Sequence, residues 1–242
     1  MVGEAKMKSI EVISHCYARD LPHYAQFLAY QLSGYILRPP KKCHVIPTIC
    51  YTVGDPATVQ VLDWFQANHP LAIRRIELPP NRLWRRSIGR NIAASNTPAS
   101  LVWFADVDYV IHGECLDTLM EMNWPAGASM VFPKEVLIHK DHSIGDCYAG
   151  GEFCELKWIR VDDFQFKTYR KAIGGVQIVD GWFARENGYL PNSRKYQSSV
   201  TKPFADFKDD VAYRKMCSNL GTIKSVDLPG IYRLRHSTTS YQ

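Results

Sequence analysis

The stretch Leu101 to Ile111, Leu-Val-Trp-Phe-Ala-Asp-Val-Asp-Tyr-Val-Ile, constrains the fold more than any other. Five apolar residues, Leu101 to Ala105, run without interruption into Asp106-Val107-Asp108. A short continuous apolar run reads as a strand covered on both faces, as in a parallel sheet. Carboxylates at the end of such a strand are costly to bury without a positive partner. In open α/β sheets, ligands gather at the carboxyl ends of the strands. Asp106 and Asp108 therefore fall where a metal ion and a phosphate are expected. The pair alone is a weak signal: with 15 Asp in 242 residues, about one Asp-x-Asp arises by chance. Its place after a buried-type strand is what gives it weight.

The residues before this stretch alternate between two periods. Ile10–Ser14 predicts a first strand, and Leu21 to Leu32 a helix with Pro22 in its first turn. Gly34 to Lys42, with Pro39-Pro40, reads as a connection. Val45–Val53 predicts a second strand, Ala57–Asn68 a helix, Ile73–Leu78 a third strand, and Trp84–Ser95 a helix carrying Arg85, Arg86 and Arg90. Strand and helix in alternation predict an α/β fold with a mostly parallel central sheet flanked by helices and right-handed crossovers. A dinucleotide-binding variant would need Gly-x-Gly-x-x-Gly after the first strand. That loop is His15-Cys16-Tyr17-Ala18-Arg19-Asp20, with no glycine. No Gly-x-x-x-x-Gly-Lys occurs either, so a nucleotide would be held by side chains and a metal.

A net charge of +5 suits an anionic ligand such as a nucleotide diphosphate and falls short of the basic stripe of a nucleic-acid binder. The seven cysteines form no Cys-x-x-Cys and are odd in number, so a reducing compartment is the simpler reading than a disulfide framework. The first fifteen residues have no apolar core and no stretch reaches 18 apolar residues, which predicts a soluble, cytoplasmic protein without a membrane span.

After Glu114 the rhythm loosens. Leu116–Met122 predicts a short helix and Ser129–Phe132 a strand, while 139–155 reads as a polar loop whose His139 and His142 are surface residues. Trp158–Arg160 and Gln165–Tyr169 are candidate short strands. Gly174-Gly175 leads into a strand through Val179, and Trp182–Asn187 predicts a helix ended by Gly188. Residues 189–204 read as a loop long enough to act as a lid. Asp209–Asn219 predicts a helix, with Thr222–Val226 and Ile231–Leu234 as short strands. Trp158 and Trp182 could stack on an acceptor sugar, but core packing is the favoured expectation.

Four pieces of the sequence, in order, resemble the nucleotide-sugar glycosyltransferases of the GT-A fold, family 2 in the broad sense. Ile-Ser-His-Cys-Tyr-Ala-Arg-Asp (13–20) is similar to the family's first strand and following loop. Val-Gly-Asp-Pro-Ala-Thr-Val-Gln-Val-Leu (53–62) resembles the segment whose acidic residue meets the nucleobase. Arg-Arg-Ser-Ile-Gly-Arg-Asn-Ile-Ala-Ala (85–94) with Leu-Val-Trp-Phe-Ala-Asp-Val-Asp resembles the Arg-Asn helix and the metal-binding Asp-x-Asp. The segments 173–192, 208–216 and 231–237 resemble the Gly-Gly-Val stretch, the acidic cluster and the Arg-His-Ser terminus of the β-1,4-galactosyltransferase branch.

The resemblance implies a single catalytic domain over 1–242, with 8–112 as the nucleotide-binding half and 113–242 as a smaller acceptor-binding half. It implies that Tyr17, Arg19 and Asp55 line the uracil and ribose pocket. Arg86 or Arg90 would reach the ribose or diphosphate, with Gly175 also in the donor site, and Asp106 the ribose or the metal. Asp108 and His236 would ligate a divalent cation, Mn²⁺ or Mg²⁺. Asp209 or Asp210 would deprotonate the acceptor. The family's Glu-Asp-x-Asp-Leu-x-x-Arg pattern departs here: Phe207 and Lys208 stand where Glu and Asp are usual, so that a one-residue slip would restore Asp209 as the base, or Asp206 would serve.

This chemistry needs such residues. Transfer of a sugar from a UDP donor builds charge on the leaving diphosphate, which a bound cation offsets. Carboxylates with one imidazole suit Mn²⁺. A carboxylate facing the donor can take the proton of a glycan or other hydroxyl acceptor. Two other readings remain open: a nucleotidyltransferase acting on sugar phosphates, and an inactive carbohydrate-binding or scaffold protein of the same fold.

Overall fold

The computed structural model describes residues 8–140, 148, 151–201 and 208–234. β1 (Ser9–His15), β2 (His44–Thr52) and β3 (Arg74–Leu78) lie side by side in parallel. β4 (Leu101–Phe104) flanks β1 on its other side, with Ile10 opposite Leu101 and Ile13 opposite Phe104. The helices α1 (His23–Leu37), α2 (Pro56–Asn68), α3 (Pro80–Leu83) and α4 (Arg86–Ser95) carry the crossovers. Beyond β4 the sheet continues through β9 (Gln177–Asp180), β6 (Ala128–Pro133) and β10 (Thr222–Val226), in the order β10-β6-β9-β4-β1-β2-β3. Only β9 runs against its neighbours. The fold is thus mixed α/β, with a mostly parallel seven-stranded sheet flanked by helices, as the alternation predicts.

A second sheet of four strands, ordered β5-β11-β7-β8, stands beside the first. It contains β5 (Tyr109–Ile111), β7 (Glu135–His139), β8 (Phe164–Thr168) and β11 (Ile231–Arg233). Further α-helices among the described residues are α5 (Gly113–Glu121), α6 (Gly181–Asn187), α7 (Arg194–Gln197) and α8 (Asp209–Leu220). No helix among the described residues is long and apolar enough to cross a membrane.

Several expectations are corrected here. The strand that ends at the two aspartates is β4 of the large sheet, as expected, and Tyr109–Ile111, for which no element was expected, forms β5 of the small one. All seven residues of the two strands are buried. α1 continues through Gly34 to Leu37. Gly34 is there for close approach: a Cβ would lie 2.9 Å from Val110 Cγ1 and 3.1 Å from the Ile111 carbonyl. β7 falls at the edge of the supposed polar loop, and Trp158–Arg160 forms no strand. His139 is buried, edge-on to Tyr148 and Phe164, and His142 lies outside the described residues. Trp158 and Trp182 are 66% and 63% exposed, so neither is a core residue.

The segment read as a lid is seated rather than open over 189–201. Tyr189 is fully buried and stacks on Tyr213 at 3.9 Å. Gln197 Nε2 donates to the Tyr189 and Leu190 carbonyls at 2.9 and 3.2 Å, and the Val200 N–H donates to Asn81 O at 2.9 Å. Residues 202–204 lie outside the described residues.

Candidate active site

β1 and β4 end together, and this common end sets the acidic turn. The Ala105 N–H still donates to Ile13 O at 3.0 Å, after which the chain leaves the large sheet. The Tyr109 N–H closes a tight turn on Asp106 O at 3.2 Å. Gln31, buried on α1, ties the turn down: its Nε2 donates to the carbonyls of Asp106 and Tyr109 at 3.3 and 3.2 Å. Both aspartates are thereby held by backbone as well as by their side chains.

Each carboxylate of the pair has its own guanidinium. Asp106 Oδ1 accepts from Arg86 Nη1 at 2.8 Å and from Arg90 Nη2 at 3.1 Å. Arg90 is fully buried, bonds Tyr189 Oη through Nη1 at 3.0 Å, and lies 5.3 Å from that ring's centroid. Burial works against the Asp106 charge, but Arg86, Arg90 and Arg233 together hold its carboxyl below the usual carboxylate range. Asp108 Oδ2 accepts from Arg233 Nε at 3.0 Å, and Asp108 O accepts from the Leu234 N–H at 2.8 Å. β11 thus brings the C-terminal part of the chain onto the acidic turn.

Gly174 and Gly175 cover this cluster. A Cβ on Gly175 would meet Tyr109 Cε2 at 2.4 Å and Asp106 Oδ2 at 3.1 Å. A Cβ on Gly174 would meet Asp210 Cβ at 3.3 Å and Arg86 Nη1 at 3.6 Å. Trp103 Nε1 donates to Gly175 O at 3.2 Å, fixing the segment from below. At Gly175 a side chain would collide with Tyr109 and crowd Asp106, whereas at Gly174 the fit is only tight.

The two aspartates at the start of α8 play different parts. Asp209 is buried, and its Oδ2 accepts the Ser87 N–H at 3.1 Å, in the first turn of α4. Its Oδ1 lies 3.8 Å from Arg86 Nη2. Asp209 is thus a cap for α4, whose own Arg85 supplies no capping side chain. Asp210 is half-buried, and among the described residues its carboxylate makes no hydrogen bond or ion pair. Its carbonyl is held by Gln177 Nε2 at 2.9 Å. Of the two, Asp210 has the carboxylate available for proton transfer.

Tyr17, Arg19 and Asp55 form a second neighbourhood at the ends of β1 and β2. Asp55 is buried and caps α2: it accepts from Thr58 N at 3.2 Å, from Thr58 Oγ1 at 2.8 Å, and from the Arg19 N–H at 3.1 Å. The Arg19 side chain is on the exposed surface. Tyr17 is buried, with its hydroxyl 3.5 Å from Leu83 O and its ring stacked on His15. Burial pushes the Tyr17 phenol up, while Arg86 pulls it down, so the two neighbourhoods touch electrostatically. The expected ligand His236 lies outside the described residues, as does Asp206. Among the described residues no three His, Cys, Asp or Glu side chains converge as a metal cage.

Sequence reasoning passed over Gln31, His15, Ser87, Tyr189 and Arg233. His15 is buried at the end of β1, and neither ring nitrogen has a hydrogen-bond partner among the described residues. Burial first, then Arg90 and Arg86, push its pKa well below the ordinary imidazole value. Arg233 carried a readable signal, since it stands in the C-terminal segment whose likeness rested on its Arg-His-Ser ending.

No family model matches the sequence, and no curated protein matches it. Solved structures do. That of S. aureus TarS 1-349 aligns with a TM-score of 0.54 at 13% identity, over 93% of this chain and 60% of that one. Another structure of S. aureus TarS aligns with a TM-score of 0.59 at 12% identity, over 93% of this chain and 36% of that one. This chain therefore spans less than two thirds of either. At such identity the likeness shows the fold alone, an α/β fold shared with TarS.

Proposed function

We propose that the chain is a glycosyltransferase that moves a sugar from a nucleotide donor, UDP-linked, to an acceptor hydroxyl, with inversion. One observation carries this reading. Asp106 and Asp108 sit in the turn that follows β4, with Gly175 against the Asp106 carboxylate, and the Asp210 carboxylate stands against the neighbouring Gly174. A donor held by the first pair would have its reacting carbon on the side of the third.

In this reading the ends of β1 and β2 receive the nucleoside, with Tyr17, Arg19 and Asp55 around the base and ribose. Arg86 and Arg90 keep Asp106 ionised and oriented. The acceptor hydroxyl loses its proton to Asp210, while Asp209 holds α4 in place. General-base help of this kind contributes roughly 10²–10⁴-fold. Residues 8–112 would hold the donor and 113–242 the acceptor, the latter in the manner of the β-1,4-galactosyltransferases. Galactose or N-acetylgalactosamine is then the donor sugar, and the cytoplasm the location.

The residues present fit a divalent cation. Aspartate oxygens are hard donors of the kind Mg²⁺ and Mn²⁺ prefer. Asp108 would be the principal ligand with Asp106, and His236 follows two residues after Leu234, which is bonded to Asp108 O. When bound, the cation would offset the charge developing on the leaving diphosphate.

The test is product analysis. Purified protein is incubated with UDP-sugars, with and without Mn²⁺, and the released nucleotide is identified. Free UDP, lost in Asp210→Ala, supports the reading. Pyrophosphate released from UTP and a sugar phosphate would replace it with nucleotidyl transfer. Glycan binding without any turnover would replace it with a binding protein.

A further inference from the structure

Asp108 already has a cation of its own. Arg233, the last residue of β11, bonds it through Nε alone and lies 5.3 Å from the Tyr109 ring centroid. A guanidinium has five N–H donors. The other four of Arg233 make no hydrogen bond among the described residues. The side chain is 32% exposed, whereas that of Asp108 is 7% exposed. Arg90 differs on both counts, being enclosed and bonded at both terminal nitrogens. Arg233 thus has spare donors and a water-facing side, and its backbone is fixed by antiparallel pairing with Tyr109. Only its side chain needs to turn.

The charges around the turn suggest why it would turn. Among the described residues, four carboxylates (Asp106, Asp108, Asp209, Asp210) stand near three guanidinium groups (Arg86, Arg90, Arg233), a count one short on the positive side. A dication makes the balance one positive charge, which suits a diphosphate. Two cations cannot share Asp108 Oδ2 at bonding distance without strong repulsion. A guanidinium released from it would match a phosphate with two parallel N–H bonds.

We propose that Arg233 is an exchangeable counter-ion: it neutralises Asp108 in the nucleotide-free protein, yields that oxygen when a divalent cation enters, and then pairs with the donor's diphosphate. The proposal rests on the donor-site reading above. It predicts effects of opposite sign from one substitution. In Arg233→Gln and Arg233→Ala, nucleotide-free protein should bind Mn²⁺ roughly ten- to a hundredfold more tightly, as expected for removing a charge-assisted bond that competes for the ligand. Affinity for UDP in the presence of Mn²⁺ should fall by about tenfold or more.

Manganese binding is read by electron paramagnetic resonance, UDP binding by calorimetry, and folding by melting temperature. In wild type, the ¹⁵Nε signal missing from Arg233→Gln should shift on adding Mg²⁺, which checks the exchange without relying on a variant. Manganese affinity that is unchanged or lower in both folded variants overturns the proposal, and so does unchanged UDP affinity or an unmoved wild-type signal. Wild type that binds neither UDP nor manganese overturns the donor-site reading, and this proposal with it.

Discussion

Asp209 and Asp210 are adjacent, and replacing each by alanine should have nearly opposite consequences. The Asp209 carboxylate is buried, accepts the Ser87 N–H at 3.1 Å and stands 3.8 Å from Arg86. Asp209→Ala leaves a buried helix N–H without an acceptor, a loss of about 1–2 kcal/mol. The Arg86 contact adds little, because Arg86 keeps Asp106 at 2.8 Å. The total is about 2 kcal/mol, or roughly 4–8 °C in melting temperature for a chain of this size. Asp209→Asn keeps an oxygen for Ser87 and should recover at least half of that loss. Asp210→Ala removes a half-exposed carboxylate from the first turn of α8, worth about 0.5 kcal/mol. Its turnover should nevertheless fall by roughly 10²–10⁴, whereas Asp209→Ala should lose less than about tenfold, or ~1.4 kcal/mol of barrier. Urea unfolding and UDP release on the same preparations give both numbers. If Asp209→Ala melts like wild type but is inactive, and Asp210→Ala turns over normally, the assignment of cap and base is reversed.

The glycine surface should be asymmetric. Gly175→Ala puts a Cβ 2.4 Å from buried Tyr109 and should cost about 1–3 kcal/mol with loss of UDP binding, while Gly174→Ala, with its nearest contact at 3.3 Å, should cost less, as melting curves will show. Asp55→Ala removes the acceptor for Thr58 and for the Arg19 N–H, and should cost about 2 kcal/mol, with Asp55→Asn retaining most of the stability. His15 is held neutral with its pKa lowered by burial and by Arg90 and Arg86, so the unfolded chain takes up a proton first as pH falls. Stability is then greatest above the unfolded value of about 6.5 and declines below it by up to ~1.4 kcal/mol per pH unit; His15→Phe should flatten that slope between about pH 6.5 and 5 in melting experiments. Asp106 also has a lowered folded pKa, so its contribution is present above about pH 4 and is lost as the pH falls further; Asp106→Asn should remove that part of the acid transition.

What could be read from the sequence was what neighbours along the chain determine. β1, β2, β3 and the intervening helices follow from local period, from Pro56 inside the start of α2, and from β-branched content. The position of Asp106 and Asp108 at a strand end followed in the same way. That Tyr109–Ile111 forms a strand of a second sheet did not, because its partner β11 lies more than 100 residues further along the chain. The continuation of α1 through Gly34 was hidden for a similar reason: the glycine answers to Val110 and Ile111, which are 76 and 77 residues away by number.

The site divides along the same line. That Asp106 needs a positive partner was legible, and the arginines of the preceding helix were at hand to supply it. Which acceptor would cap α4 was not, for the cap comes from Asp209, 122 residues later, and the partner of Asp108 comes from Arg233, 125 residues later. Yet the missing cap leaves a trace. A helix that starts Arg85-Arg86-Ser87 carries no capping residue of its own, and its first turn still needs acceptors once it is buried. Sequence therefore states how many charges and donors must be satisfied, and the long-range topology decides by whom. The cap of α4 and the partner of Asp108 both come from the C-terminal third, so substitutions there should alter the acidic turn and the start of α4 in any assay that reads both.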